Sequence, residues 1–145
     1  MAMIATSLIL AGCQSAKVDN TETASISALE LNPISDVAMG KQQFIDANYG
    51  LAEKHFRKAV ENNPSDAEAL MGLAASYDQL GRFDFAERAY KELFKVAGRK
   101  PQVVSNYGYS QLLRGNKKEA RKLFMEASKA LPGDKKISAN QKLAG

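Results

Sequence analysis

The stretch LMGLAASYDQLGRFDFAERAYKEL, residues 70–93, holds two amphipathic runs separated by a single glycine. Leu70, Leu73, Ala74 and Tyr77 fall at i, i+3, i+4 and i+7, which places them on one face of a helix. Gly81 supplies the permissive backbone that ends a helix and turns the chain. Phe83, Ala86, Tyr90 and Leu93 then form a second helical stripe. The stretch therefore reads as a helical hairpin with a large apolar inner surface.

The same hairpin recurs on both sides at a fixed step of 34 residues, with no gap. The step relates Gly40, Ala74 and Gly108, all small, and Ala52, Ala86 and Ala120. It also relates the aromatics Phe56, Tyr90 and Phe124, the turn positions Ala47, Gly81 and Gly115, and Pro64, Gly98 and Pro132. In the third copy the stripes are Val104, Tyr107, Gly108 and Gln111, then Ala120, Phe124 and Ala127. Small residues on facing helices permit close approach, and each aromatic is expected to wedge into the next hairpin. Pro64 and Pro132 end helices because a proline disfavours the α conformation in the residue before it. Ser35 and Asp66 suit the N-caps of the helices that follow them.

A helix–turn–helix of 34 residues, with small side chains at its eighth and twentieth positions and an aromatic at its twenty-fourth, resembles the tetratricopeptide repeat. The expected fold is all-α: a right-handed α-solenoid of three hairpins, 33–66, 67–100 and 101–134, with residues 135–145 forming a short C-terminal capping helix through Ile137 and Leu143. The copies depart from the family pattern at Asp36, where a bulky residue is usual, and at Gln43 and Gln111, where a tyrosine is usual. Terminal copies of a solenoid are expected to deviate. The resemblance implies a concave partner-binding groove lined by the first helix of each hairpin. Carried onto this chain, its residues are Val37, Lys41, Phe44, Ile45, Glu68, Met71, Asp78, Ser105, Tyr109 and Leu112, with Ile34, Ala75, Gln79, Gln102 and Leu113 at the remaining positions. The Lys/Asn/Arg carboxylate clamp of chaperone-binding members is missing. The apolar ends around Phe44, Tyr109 and Leu112, with Glu68 and Asp78 between, suit an amphipathic or extended protein segment. The plainer alternative is that several of these residues pack beneath the tether or a cap helix.

Ahead of the repeats lies a different kind of sequence. Residues 1–16 carry no charge, and Met3 to Leu10 is mostly apolar, which suits the h-region of an export signal and is too short to cross a bilayer. Leu10-Ala11-Gly12-Cys13 resembles the lipobox of bacterial lipoproteins, and this implies a signal peptide over 1–12 and a covalent lipid on Cys13. Such a lipid would be the chain's only prosthetic group, with no other cofactor. The alternative is an N-terminal helix with a core cysteine. No basic residue precedes Lys17, which departs from such signals and implies that the start of translation lies upstream or that the leader is clipped. Gln14 after the cysteine implies, by resemblance, sorting to the outer membrane of a Gram-negative bacterium, facing the periplasm. Residues 13–32, rich in Ser, Thr, Ala and Asn, read as a tether.

Composition narrows the function. A chain of 145 residues that is 45% hydrophobic and 25% charged has ordinary globular composition. One His and one Cys leave no constellation for zinc, a disulfide or a Cys–His nucleophile. His55 stands alone between Lys54 and Arg57, no phosphate-binding glycine motif occurs, and no enzyme activity is expected. The net charge of +4 conceals an asymmetry: residues 95–145 hold twelve basic and three acidic side chains. Lys117, Lys118, Arg121 and Lys122 lack interleaved aromatics, so nucleic acid is not expected as a partner, nor is a small-molecule substrate. The expected function is a non-catalytic scaffold lipoprotein that binds a protein partner and meets the membrane through its lipid anchor. The run Gly72 to Asp84 resembles the TadD-type lipoproteins of tight-adherence (Flp) pilus assembly, which implies a pilotin-like helper whose partner is a secretin or another pilus component. The alternative is a general cell-envelope adaptor that organises peptidoglycan enzymes or outer-membrane assembly factors.

Overall fold

A computed structural model describes residues 35–145. Cys13, the 1–12 signal, the 13–32 tether and Ile34 lie outside the described residues. Seven helices follow one another: α1 Asp36–Ile45, α2 Tyr49–Asn62, α3 Ala67–Gln79, α4 Phe83–Ala97, α5 Pro101–Leu113, α6 Lys117–Ala130 and α7 Lys135–Leu143. They pair as three antiparallel hairpins, α1–α2, α3–α4 and α5–α6, and α7 closes the end against α5 and α6. No strand occurs among the described residues. The fold is the all-α repeat architecture expected from the 34-residue step.

Local chemistry accounts for the ends of the helices. The side chain of Ser35 accepts from the Ala38 amide, and that of Asp66 accepts from the amides of Glu68 and Ala69. Asp134 caps α7 in the same way, through the amides of Lys136 and Ile137. The three turns inside the hairpins need a left-handed residue at one shared repeat position: Ala47 at φ 58°, Gly81 at 68° and Gly115 at 84°. Only the first hairpin meets that demand with a side chain, a conformation that costs an L-residue about 1–2 kcal/mol.

The core follows the repeat positions read from the sequence. Ala52, Ala74, Ala86 and Ala120 are fully buried, as is Phe124, and Phe56 and Tyr90 are almost so. The ring of Phe56 lies over two bare backbones at once, Gly40 of its own hairpin and Gly72 of the next. One repeat later the residue facing Tyr90 is Asn106, whose carbonyl accepts from the Tyr90 hydroxyl at 3.2 Å. The first junction is therefore closed by a ring on glycine. The second carries this polar contact beside the ring of Tyr107, which packs on Tyr90 and Phe94, and α4 packs on α5 less extensively than α2 does on α3. The third hairpin's apolar residues are completed by α7, since Ile137 joins Val104, Leu123 and Ala127, and Ala144 joins Ala120 and Phe124. Leu143, expected to pack in that cap, is 60% exposed, and Ala144 takes its place. Ile137 and Ala144 stand seven residues apart and so share a face, while Leu143 lies about 100° round the helix from Ala144.

Candidate functional site

The groove runs along α1, α3 and α5. Its larger cavity, about 760 Å³, is walled by Phe44, Ile45, Met71, Ala75, Ala97 and Val103, with Lys41 and Glu68 at its margin. Lys41 and Glu68 form an ion pair that bridges the first two repeats. A smaller cavity of about 370 Å³ continues between α3 and α5, lined by Phe44, Asp78, Gln79, Asn106 and Tyr109. Phe44 contributes to both cavities and meets the edge of Tyr49, with ring centroids 5.2 Å apart. Met71 is positioned by the Asn106 amide, which donates to its sulfur at 2.9 Å. The floor of the larger cavity is thus apolar, with Lys41 and Glu68 at its rim, an arrangement that accepts the apolar side of a partner segment.

Seven of the ten residues named from the sequence meet in this groove: Lys41, Phe44, Ile45, Glu68 and Met71 around the larger cavity, and Asp78 and Tyr109 in the smaller. The other three are placed elsewhere. Val37 packs against the core of the first two hairpins. Leu112 packs against the Ala120, Phe124 and Ala144 cluster. Ser105 is buried, and its hydroxyl accepts from Asn140 of α7 at 3.1 Å, so the cap helix covers this end of the groove. The sequence reading did not name Lys100, Lys136 and Asn140, which also line the cavities. They come from the loop before α5 and from α7, outside the repeat positions. The spacing of Lys136 and Asn140 at i and i+4 was a signal that α7 turns one face to the groove.

Asp78 is the one buried acid on this surface, and its environment is particular. It is 5% exposed and accepts from the Ser110 hydroxyl at 2.7 Å across the second and third repeats. Burial raises the pKa of its carboxyl, and the hydrogen bond from Ser110 opposes that rise only in part. Nearby, Arg114 reaches back to the second hairpin, pairing with Glu87 at 3.1 Å and donating to the Phe83 carbonyl at 2.7 Å. The Tyr107 hydroxyl donates to Glu87 at 3.0 Å, and burial with this neighbouring carboxylate pushes its pKa up to about 12. His55 serves structure: its Nδ1 lies 3.1 Å from the Asp36 carboxylate and ties α2 to α1. No group of residues suited to hold a metal ion occurs among the described residues. No helix among them is long and apolar enough to cross a membrane.

A tetratricopeptide repeat family model matches residues 46–93 and 74–135, together more than half of the chain. The chain belongs to the tetratricopeptide repeat family. Solved structures of other proteins share its architecture. The second tetratricopeptide domain of human RPAP3, solved in complex with an HSP70 peptide, is 18% identical, covers 77% of this chain and 92% of that chain, and has a TM-score of 0.65. The Yersinia enterocolitica type III secretion chaperone SycD, in complex with a peptide of the translocator YopD, is 17% identical, covers 75% and 88%, and has a TM-score of 0.63. Pseudomonas aeruginosa PilF is 25% identical, with a TM-score of 0.65, and the match covers 75% of this chain and 50% of PilF. No curated protein matches the chain closely enough to count as a relative.

Proposed function

We propose that this tetratricopeptide repeat chain is a non-catalytic, lipid-anchored scaffold that captures an amphipathic or extended segment of a partner protein. The observation that carries the reading is the groove, an apolar floor some 760 Å³ in volume with Lys41 and Glu68 at its edge. Similar domains solved with HSP70 and YopD peptides show that the fold can hold peptides. The Leu10-Ala11-Gly12-Cys13 tetrad supports lipidation at Cys13 and attachment to the outer membrane on its periplasmic side. The resemblance of Gly72 to Asp84 to TadD, and the similarity to PilF, favour a helper in pilus assembly with a secretin or another pilus component as partner.

The test is affinity purification of the full-length chain from its own membranes, with mass spectrometry of the co-purifying proteins. Recovery of a secretin or other pilus components with the wild type, and their loss with Phe44→Ala plus Tyr109→Ala at unchanged helicity, is the expected result. Capture that persists in the double variant would move the binding site off the groove. Recovery of peptidoglycan enzymes or outer-membrane assembly factors in place of pilus components would overturn the pilus assignment and favour a general envelope adaptor. Cys13→Ser is expected to release the chain from the membrane fraction, and its retention there would overturn the lipid anchor.

A further inference from the structure

The cations of the C-terminal third, residues 95–145, divide by chemistry. Its three arginines are all engaged inside the molecule. Arg99 holds Glu126 through two hydrogen bonds, at 2.8 and 2.7 Å, Arg114 holds Glu87 and the Phe83 carbonyl, and Arg121 donates to the Ala144 carbonyl. Lysines remain. Lys117, Lys118, Lys129, Lys135 and Lys142 are exposed and make no ion pair among the described residues, and Lys122 has only an exposed i,i+3 partner in Glu119. The two acidic residues of α6, Glu119 and Glu126, are thus both already paired.

These lysines share a face with exposed apolar side chains. The core residues of α6 are Ala120, Leu123, Phe124 and Ala127. Lys118, Lys122, Met125 and Lys129, at i, i+4, i+7 and i+11, form the opposite stripe, on the side of α6 away from the hairpin core. Met125 is 56% exposed in the middle of it. The bond from Arg121, beside this stripe, to the Ala144 carbonyl ties α6 to the end of α7, whose side opposite buried Ile137 and Ala144 carries Lys135 and Lys142, with the exposed Leu143 on its flank.

We propose that this outer face of α6 and α7 docks on an anionic phospholipid bilayer. The charge is made of ammonium groups, compact and hydrated, which neutralise a diffuse anionic surface. The guanidinium forks that would recognise individual carboxylates in a protein partner are already engaged. Met125 and Leu143, set among lysines, can enter the headgroup boundary as apolar side chains do on interfacial helices. The remainder of the described chain, residues 35–94, carries seven basic and ten acidic side chains, so the two ends would be oriented oppositely by a negative surface. Contact through this face leaves the groove on α1, α3 and α5 open, and it is independent of what the groove binds.

Co-sedimentation of full-length Cys13→Ser chain with vesicles tests the proposal, because the lipid anchor is then absent. The chain is expected to bind vesicles containing phosphatidylglycerol, to ignore pure phosphatidylcholine, and to dissociate as salt is raised. Lys118→Glu with Lys122→Glu and Lys129→Glu should weaken binding roughly tenfold or more. Lys54→Glu with Arg88→Glu and Lys91→Glu, an equal charge change on exposed sites of the other hairpins, should change it far less. The Lys→Gln version of the α6 set, with helicity checked for every variant, keeps the comparison decisive if the reversals disturb folding. Equal binding to both vesicle types, or equal losses in the two triple variants, would overturn the proposal. Capture by heparin without binding to phosphatidylglycerol vesicles would overturn it in favour of a polyanionic macromolecule.

Discussion

A Cβ placed on Gly72 would stand 2.3 Å from Cε1 and Cζ of Phe56, closer than real side-chain contacts come. Gly50 sits in the first turn of α2 with nothing within 4 Å of the same position. One substitution therefore has opposite signs at two sites. Alanine in place of a helical glycine is favourable by about 1 kcal/mol where space allows. Overpacking a filled core costs about 1–3 kcal/mol. Gly50→Ala should raise the thermal midpoint slightly, whereas Gly72→Ala should lower it, by a net loss of up to about 2 kcal/mol after the helical gain. Melts followed by circular dichroism decide the matter, and similar shifts for the two variants would show that the ring can move aside. The 34-residue step made Gly40, Ala74 and Gly108 legible as close-approach positions, because the requirement repeats in all three copies. Gly72 was not legible, since its equivalents are Ala38 and Asn106 and the contact with Phe56 exists only at the first junction.

The helices differ in how much of themselves they announce. Helices α1 to α6 were readable because each occupies a place that recurs in a neighbouring repeat. Helix α7 has no second copy, and nine residues hold too few turns for periodicity to separate a core residue from a neighbour. Its packing depends on Ile137, 1% exposed against Val104, Leu123 and Ala127. Ile137→Ala should cost about 2–4 kcal/mol, within the range for aliphatic truncation in a core. Leu143→Ala, at a site 60% exposed, should cost less than about 0.5 kcal/mol. Urea titrations would measure both, and equal effects would mean that α7 does not close the last hairpin. The same helix explains why the groove was only partly legible. The repeat positions on α1, α3 and α5 include Phe44, Met71 and Asp78, which line the cavities, but whether Ser105 is open or covered is decided by Asn140, which belongs to no repeat.

A solenoid's stability is approximately the sum of its repeats and the interfaces between neighbours, and the two interfaces here are built differently. The first relies on Phe56 against Gly72, with Arg82 paired to Glu53 at 3.2 Å. The second combines apolar packing, with Tyr107 against Tyr90 and Phe94 and Val103 in the core of the preceding hairpins, with polar links: Ser110 to Asp78, Arg114 to Glu87 and to the Phe83 carbonyl, and Tyr90 to the Asn106 carbonyl. Among these, Asp78 makes the joint sensitive to pH. Its folded pKa is raised, so the folded chain holds this proton more tightly than the unfolded one does. Stability from this group is therefore greatest in acid and falls as pH rises from the unfolded carboxylate pKa through the folded value. At neutral pH the ionised carboxylate is a burden that the Ser110 bond offsets only in part. Asp78→Asn keeps an oxygen to accept from Ser110 and removes the titration. The variant should gain on the wild type as pH is raised from about 4 to about 7, whatever the other carboxylates do, because their contribution cancels in the difference. Urea midpoints of the two proteins across that range measure the gain. Hydrogen exchange should place it in α5, the helix that Ser110 anchors. A difference that stays constant with pH would mean that Asp78 is as well solvated folded as unfolded. The second interface would then owe its hold to the packing of Tyr107 and Val103, to Arg114 and to the Tyr90–Asn106 contact.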